Sequence, residues 1–509
     1  MNYADLFRIT LPETVLEIAA LLVLVVDLTF LRKAATHARA GVAALLGVAG
    51  CAAALWVIPP APGGLAFNGS MLLATGGYTT VAQVAILGLT ALTLVLLADS
   101  TFTRNVGEYV AVVLMSAAGG MIIAGAQDLL VIFIGLELLS LGLYILTAFA
   151  KSSGKSAEAA IKYYLFGGMS AAFLLFGFSY LYGFAGSTNL ARVVLASYRA
   201  GESGGAPLLF VALVMVAAGL GFKVAAAPFH LWAPDAYEGA PAPAAAFIAS
   251  VSKVASFALL ITIGTIAANP FAGLHIVKAF VTIHTFSGPA PVVRGFGTEW
   301  PLVLAILAGA SMIVGNLAAL AQVSVRRLLA YSAVAHAGYM LLALAYMSPT
   351  RRTADALLYY VITYGLTTIG AFAVVGVVER ASGSDRFDAF AGLHKRNPLL
   401  AAVLLVLFLS LAGIPPLVGF WAKFNLFAAV LSVGAGAVPF TLVALAVAFS
   451  AVSLYYYLQV LKRAYVMPPV QESRIRVHPL TMFVLLLVTA SVVVLGCFPA
   501  LLQGWIASF

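Results

Sequence analysis

The stretch "LAGIPPLVGFWAK", Leu411–Lys423, carries two adjacent prolines, two glycines and a lysine inside a long apolar run. None of these suits the interior of a helix surrounded by hydrocarbon. The run covers residues 398–431, and as one straight helix it would be roughly 50 Å long, against a hydrocarbon core of about 30 Å. Pro415 and Pro416 remove backbone donors and clash with the preceding turn, and Gly413 and Gly419 loosen it further. The pattern predicts a helix that breaks at membrane depth. A second long run, 206–233, has its own breaker, Pro228 in "KVAAAPFHLW". Non-helical backbone survives at that depth only where it is buried in protein or lines a wet cavity.

Composition supports lipid as the solvent. Of 509 residues, 63% are hydrophobic and 9% are charged, whereas a soluble domain carries about 25% charged residues. Runs long enough to span a bilayer lie near 10–31, 40–58, 77–99, 108–123, 127–150, 159–184, 206–233, 242–268, 301–320, 326–347, 354–379, 398–431, 438–461 and 479–503. The expected fold class is an all-α polytopic membrane protein of about fourteen transmembrane helices, with spans 7 and 12 broken. The N-terminus lacks a basic region and a cleavage site, and it reads as a retained first span. With it outside, the cytoplasmic connections hold sixteen Lys and Arg against seven on the other side. The positive-inside rule then puts both termini outside.

Three short matches suggest a repeat. "GLYILTAF" from Gly142 resembles "GYMLLALA" from Gly338, and Tyr163-Tyr164 resembles Tyr359-Tyr360 at the same offset. Gly221-Phe222 aligns with Gly419-Phe420 at nearly that offset. The offset spans five helices. Five is odd, so the second copy would enter the membrane from the opposite side, as in secondary transporters. The expected divisions are a three-helix segment 1–105, a first repeat 106–268 (spans 4–8), a connecting loop 269–300, a second, inverted repeat 301–465 (spans 9–13), and a strap and last helix 466–509.

Four Lys and Arg side chains are left over once the connections are counted, all of them lysines within predicted spans: Lys162, Lys223, Lys253 and Lys423. A lysine can lose its proton when desolvated, whereas an arginine effectively cannot. Glu137 lies well inside span 5, where a central charge costs about 2.5–3.5 kcal/mol on insertion scales, so it needs a partner or a proton. The expected pair is Glu137 with Lys223. His230 lies seven residues after Lys223, on the same face if the helix resumes. His336 lies inside span 10. Histidine as a residue type titrates near neutrality, so both positions suit a relay between lysines. By the repeat, Lys423 is expected to hold in spans 9–13 the role of Lys223 in spans 4–8. Cys51 and Cys497 read as small core residues. No nucleotide loop, CxxC pair or HExxH motif occurs, so neither a cofactor nor a metal site is expected on this chain.

"PFHLWAPDAYEGAPAPAAAF" followed by "SKVASFALL" resembles the span 7–8 motif of the antiporter-like subunits of proton-pumping NADH:quinone oxidoreductase, respiratory complex I. "EAAIKYYLFGGMSAAFLLFGFSYLYGFAGSTNL", "SVRRLLAYSAVAHAGYMLL" and "SLAGIPPLVGFWAKF" resemble its subunit N branch. The related subunit M usually carries Glu in span 12, and subunit L has an extended lateral helix that is not seen in this sequence. The resemblance implies a proton relay of Glu137, Lys162, Lys223, His230, Lys253, His336 and Lys423. It implies a translocase subunit without redox chemistry of its own, in a bacterial inner membrane. FMN, iron–sulfur clusters, NADH and quinone would sit in partner subunits. The neighbours would be subunit M, small membrane subunits and lipid, with no nucleic acid. The alternative is a subunit of a multi-chain cation/proton antiporter, which shares this fold.

Overall fold

The computed structural model describes residues 7–59, 63–67, 70–99, 102–200, 206–268, 295–434, 436–470 and 473–509. Most of the 269–300 connection therefore lies outside the described residues. Every predicted span is helical. In chain order the helices are α1 (Leu11–Val25), which a π-helical turn extends over Val26–Phe30, then α2 (Thr36–Trp56), α3 (Gly77–Leu97), α4 (Val106–Gly125), α5 (Leu129–Thr147) and α6 (Gly154–Ala185). They continue with α7 (Leu190–Ala200), α8 (Ala206–Val224), α9 (Trp232–Gly239), α10 (Ala242–Ala268), α11 (Glu299–Leu320), α12 (Val325–Ala345) and α13 (Arg352–Ser382). The last are α14 (Leu393–Arg396), α15 (Pro398–Ala412), α16 (Val418–Val433), α17 (Ala437–Tyr465), α18 (Pro479–Cys497) and α19 (Ala500–Ala507).

Among the described residues twelve helices are long and apolar enough to cross a membrane unaided. The other two predicted spans are span 1, which passes from α1 into its π turn, and span 12, which is split into α15 and α16. Asp27 is buried in the π turn, accepts two hydrogen bonds from Arg39 at 2.6 and 2.7 Å, and accepts the Gly107 N–H at 3.2 Å. The acid is thus a structural partner of α2 and α4.

Span 12 breaks where the prolines demand it. Gly413 closes α15 in a left-handed conformation with φ 88°. The amide N–H of Ile414 returns to the Leu409 carbonyl at 3.0 Å, the six-to-one bond of a Schellman end. Span 7 ends the same way. The Ala226 N–H returns to the Gly221 carbonyl at 2.8 Å, with Ala225 at φ 60° in the position that Gly413 fills in span 12. An L-residue costs about 1–2 kcal/mol in that region. Helix resumes only at Trp232. Residues 225–231 are not helical, so the same-face relation expected between Lys223 and His230 does not hold.

The central layer is α10, α12 and α13. About 94% of the membrane-crossing stretch of α10 is buried, against 22% for α17 on the outside. α10 packs on α13, and so joins the first half of the chain to the second. Besides α9, which runs beyond the predicted end of span 7, three elements had no counterpart among the predicted spans. They are a hairpin of Gly63–Phe67 with Ser70–Thr75, the amphipathic α7, and the short α14. The strap before the last helix is tied to its own chain by Asn397, which donates to the Ile475 carbonyl at 3.0 Å. Cys51 is buried as expected, but Cys497 is exposed at the end of α18.

Close approach at the second break depends on a missing side chain. A Cβ on Gly419 would sit 1.8 Å from the Ser410 carbonyl oxygen. Gly419→Ala is therefore expected to cost roughly 1–3 kcal/mol through forced backbone movement. The check is the thermal unfolding midpoint of the purified protein, and an unchanged midpoint would count against this packing.

Candidate functional site

The two breaks expose backbone carbonyls at membrane depth, and buried lysines meet them. Lys253, on α10, donates to the Val224 carbonyl at the end of α8 at 3.2 Å and to the Ala333 carbonyl on α12 at 2.7 Å. Its ammonium lies 5.6 Å from the centre of the Tyr364 ring. Lys423, on α16, donates to the Ala412 carbonyl at the end of α15 at 2.9 Å and to Ser450 Oγ at 2.8 Å. Its ammonium lies 5.5 Å from the centre of the Tyr339 ring. The two lysines thus share one environment: a carbonyl at a helix break, a second oxygen, and an aromatic face.

This pairing differs from the one expected from the repeat. The repeat matches Lys423 with Lys223, but Lys223 precedes its break while Lys423 follows its own. In contacts, the counterpart of Lys423 is Lys253.

Lys223 is buried and donates to Ser140 Oγ at 2.8 Å. Ser140 lies one turn along α5 from Glu137. Glu137 is half-buried and interacts electrostatically with Lys223, but no ion pair closer than 4 Å joins them. The expected pair is therefore a spaced one, with the serine hydroxyl between. The sequence could have signalled Ser140, because it repeats the Glu137 position at helical spacing.

His336 lies between the two break-clasping lysines and feels the charge of both. Its Nδ1 is 2.8 Å from the Tyr360 hydroxyl. Its Nε2 is buried and has no hydrogen-bond partner among the described residues. His336 also lines a small cavity with Tyr360, Thr363, Ser410 and Gly419, with room for about one water. That cavity touches the second break, so the histidine and the break share one polar space. Around them, Asn316 bonds both Tyr339 and Tyr456, and Ser332 bonds Tyr457.

Two expected relay residues lie apart from this row. Lys162 is 41% exposed and forms ion pairs with Glu158 at 2.6 Å and Asp235 at 2.9 Å. It belongs to a charged surface cluster in which Arg327 bridges Asp235 and Glu238. His230 is buried in the turn before α9 with its ring 6.1 Å from that of Tyr331, and no lysine lies within its hydrogen-bond reach among the described residues. The sequence reading missed the supporting hydroxyls and tyrosines, because single polar residues in apolar helices carry no pattern until neighbouring helices bring them together.

The fold and the row of buried bases define an antiporter-like polytopic membrane protein. Two stretches, 126–289 and 277–450, match the family model described as NADH:quinone oxidoreductase/Mrp antiporter, TM. The chain is 46% identical to NADH-quinone oxidoreductase subunit N 2 of Acidobacterium capsulatum, covering 99% of both chains. It resembles a chain of respiratory complex I from Thermus thermophilus with bound aureothin, at 33% identity, a TM-score of 0.76, and 97% and 98% coverage of the two chains. It shares its fold with a chain of the Mrp complex from Dietzia, at 22% identity and a TM-score of 0.78, over 98% of this chain and 51% of that one. The chain belongs to the NADH-quinone oxidoreductase subunit N family.

Trp421 fixes the second half of the broken span. Its indole N–H donates to the Gly496 carbonyl on α18 at 2.8 Å. Trp421→Phe leaves that carbonyl unpaired and is expected to cost about 1–3 kcal/mol. A thermal midpoint that does not fall would show that the contact holds nothing in place.

Proposed function

We propose that this chain is a proton-translocating membrane subunit of an NADH:quinone oxidoreductase, and that its buried bases carry the proton. The order along the row is Glu137, Lys223, Lys253, His336 and Lys423. NADH oxidation and quinone reduction, with FMN and iron–sulfur clusters, take place in partner subunits. Subunit M and the small membrane subunits are the neighbours we assign, in a bacterial inner membrane with both termini on the periplasmic side. In this reading the chain is two inverted five-helix repeats, 106–268 and 301–465, each built around its broken span, with 1–105, 269–300 and 466–509 as the flanking and linking segments. Lys162 and His230 act from outside the row: Lys162 in the surface cluster at the end of α9, and His230 at the break itself.

The observation that carries this reading is the company of Lys253 and Lys423. Both are buried, and neither has a carboxylate within 4 Å among the described residues; their partners are carbonyl and hydroxyl oxygens. A buried ion costs several kcal/mol even after relaxation, and a lysine can shed that cost by giving up its proton. A purely structural role would be served better by a neutral donor. Each site can therefore exist charged or neutral, and His336 is placed to exchange protons between them. A cation/proton antiporter built on this fold is the second reading. Co-purification of the chain with flavin and iron–sulfur subunits separates the two.

The relay is tested in the assembled complex. Lys423→Ala removes the carrier. Lys423→Arg keeps the charge but cannot release the proton, so both variants are expected to lower proton pumping severalfold. Normal proton-to-electron ratios in both would make the residue structural. Glu137→Ala is expected to slow pumping and NADH oxidation together, and full coupled activity with normal assembly would remove Glu137 from the row.

A further inference from the structure

Helix α8 ends at Val224 and α9 starts at Trp232, with no helical ladder of hydrogen bonds between them. The place of α9 relative to α8 is therefore set by side chains. The Trp232 indole N–H donates to the Phe222 carbonyl at 2.9 Å. That carbonyl belongs to the peptide unit joining Phe222 to Lys223, so the indole holds the backbone from which Lys223 springs. The Lys223 ammonium in turn donates to Ser140 Oγ on α5.

α9 is only eight residues long, about 12 Å, and it packs on α6 and α12. Trp232 and Asp235, three residues apart, share one face of it and meet successive residues of α6. The Trp232 ring stacks on that of Tyr163, with centroids 4.1 Å apart and planes 1° from parallel. One Asp235 oxygen takes Lys162 at 2.9 Å, and the other takes Arg327 of α12 at 2.6 Å. At the far end, a Cβ on Gly239 would lie 2.5 Å from the Ala159 Cβ and 2.6 Å from the Lys155 carbonyl oxygen, so α9 lies hard against α6. Lys162 also stands in company unlike that of Lys253 and Lys423. It is part-exposed and meets two carboxylates, Glu158 and Asp235, whereas the other two are buried and meet neutral oxygens. It is built as one end of an ion pair.

We propose that Lys162 is a positioning residue for Lys223: through Asp235 and Trp232 it sets α9 as a strut between the surface charge cluster and the peptide that carries Lys223. The proposal rests on the relay reading of Lys223 above. Lys162 keeps its proton throughout, and what it passes to Lys223 is a position. Loss of the Lys162–Asp235 contact frees one side of α9. The indole then shifts with the helix, and the Lys223 ammonium loses its register with Ser140 Oγ.

The test uses the whole complex in inverted membrane vesicles, with pumping expressed per intact complex so that lost assembly is counted separately. Lys162→Arg keeps the ion pair but cannot release a proton, and it is expected to pump at about half the parent rate or better. Lys162→Gln and Asp235→Asn each break the contact and are expected to slow pumping about threefold or more, and the double variant is expected to be no slower than the slower single one. Trp232→Phe keeps a ring against Tyr163 but loses the N–H, and it is expected to slow pumping severalfold. The pH profile of pumping is expected to move the same way in Lys162→Gln and Trp232→Phe, because both displace the Lys223 ammonium relative to Ser140 and the Glu137 charge. It is expected to stay in place in Lys162→Arg. The strut falls if Lys162→Arg is as slow as Lys162→Gln, which is how a carrier behaves. It also falls if the two single effects multiply, if Lys162→Gln or Trp232→Phe pumps at the parent rate, or if the profile does not move. The two readings fail separately: a normal Lys223→Ala overturns the relay, whereas a defective Lys223→Ala with any of these results overturns only the strut.

Discussion

A backbone carbonyl freed inside a membrane has to find a donor, because hydrocarbon offers none. Two helices of this protein are interrupted there, and the donors at both interruptions include a lysine ammonium. Lys253 takes the Val224 carbonyl and Lys423 takes the Ala412 carbonyl. The remaining donors are fixed in character. The Trp232 indole holds the Phe222 carbonyl at 2.9 Å, and the Ala227 N–H is taken by Ser311 at 2.8 Å. Among these contacts, only the lysine ones depend on a proton that can leave. The breaks and the titratable row are therefore one construction: the helix must break to present the carbonyl, and the carbonyl holds the lysine where no carboxylate is near.

Lys253 also ties the halves of the chain together. Its two carbonyls belong to α8 and α12, one from each half, and its own helix packs on α13. Hydrogen bonds to a charged group contribute about 1.5–3 kcal/mol each. Loss of the proton weakens both contacts at once, so a change of charge at this position is felt on both sides of the interface between the halves.

Much of this was legible in the sequence, and the rest failed for identifiable reasons. All fourteen spans were readable from apolar length, and the breaks from Pro228 and Pro415–Pro416, because hydrophobicity and proline act locally. The burial of Lys223, Lys253, His336 and Lys423 followed from their positions in mid-span. The partners did not. Ser140, Tyr360 and Ser450 reach the bases from other helices, and a single hydroxyl in an apolar helix gives no periodic signal. The relation of His230 to Lys223 failed because it assumed that the helix continues past Pro228, whereas the chain turns for seven residues. Lys162 looked intramembrane from its position alone, but Asp235 and Glu158 hold it at a surface. The match of Lys423 to Lys223 came from an alignment of neighbours, while the contacts follow the position of each break.

The placement of His336 has a kinetic consequence. Its two ring nitrogens face different surroundings: Nδ1 meets the Tyr360 hydroxyl, and Nε2 has no hydrogen-bond partner among the described residues. A proton accepted at one nitrogen and given up at the other leaves the ring in the opposite tautomer. The ring lies among Tyr339, Tyr360 and Tyr364. The original tautomer returns only when one proton arrives at Nδ1 and another leaves Nε2, and the Tyr360 hydroxyl, which accepts from a protonated Nδ1 and donates to a bare one, must reverse its direction. Each passage thus leaves a memory in the orientation of one hydroxyl, and the next passage waits for it to be erased.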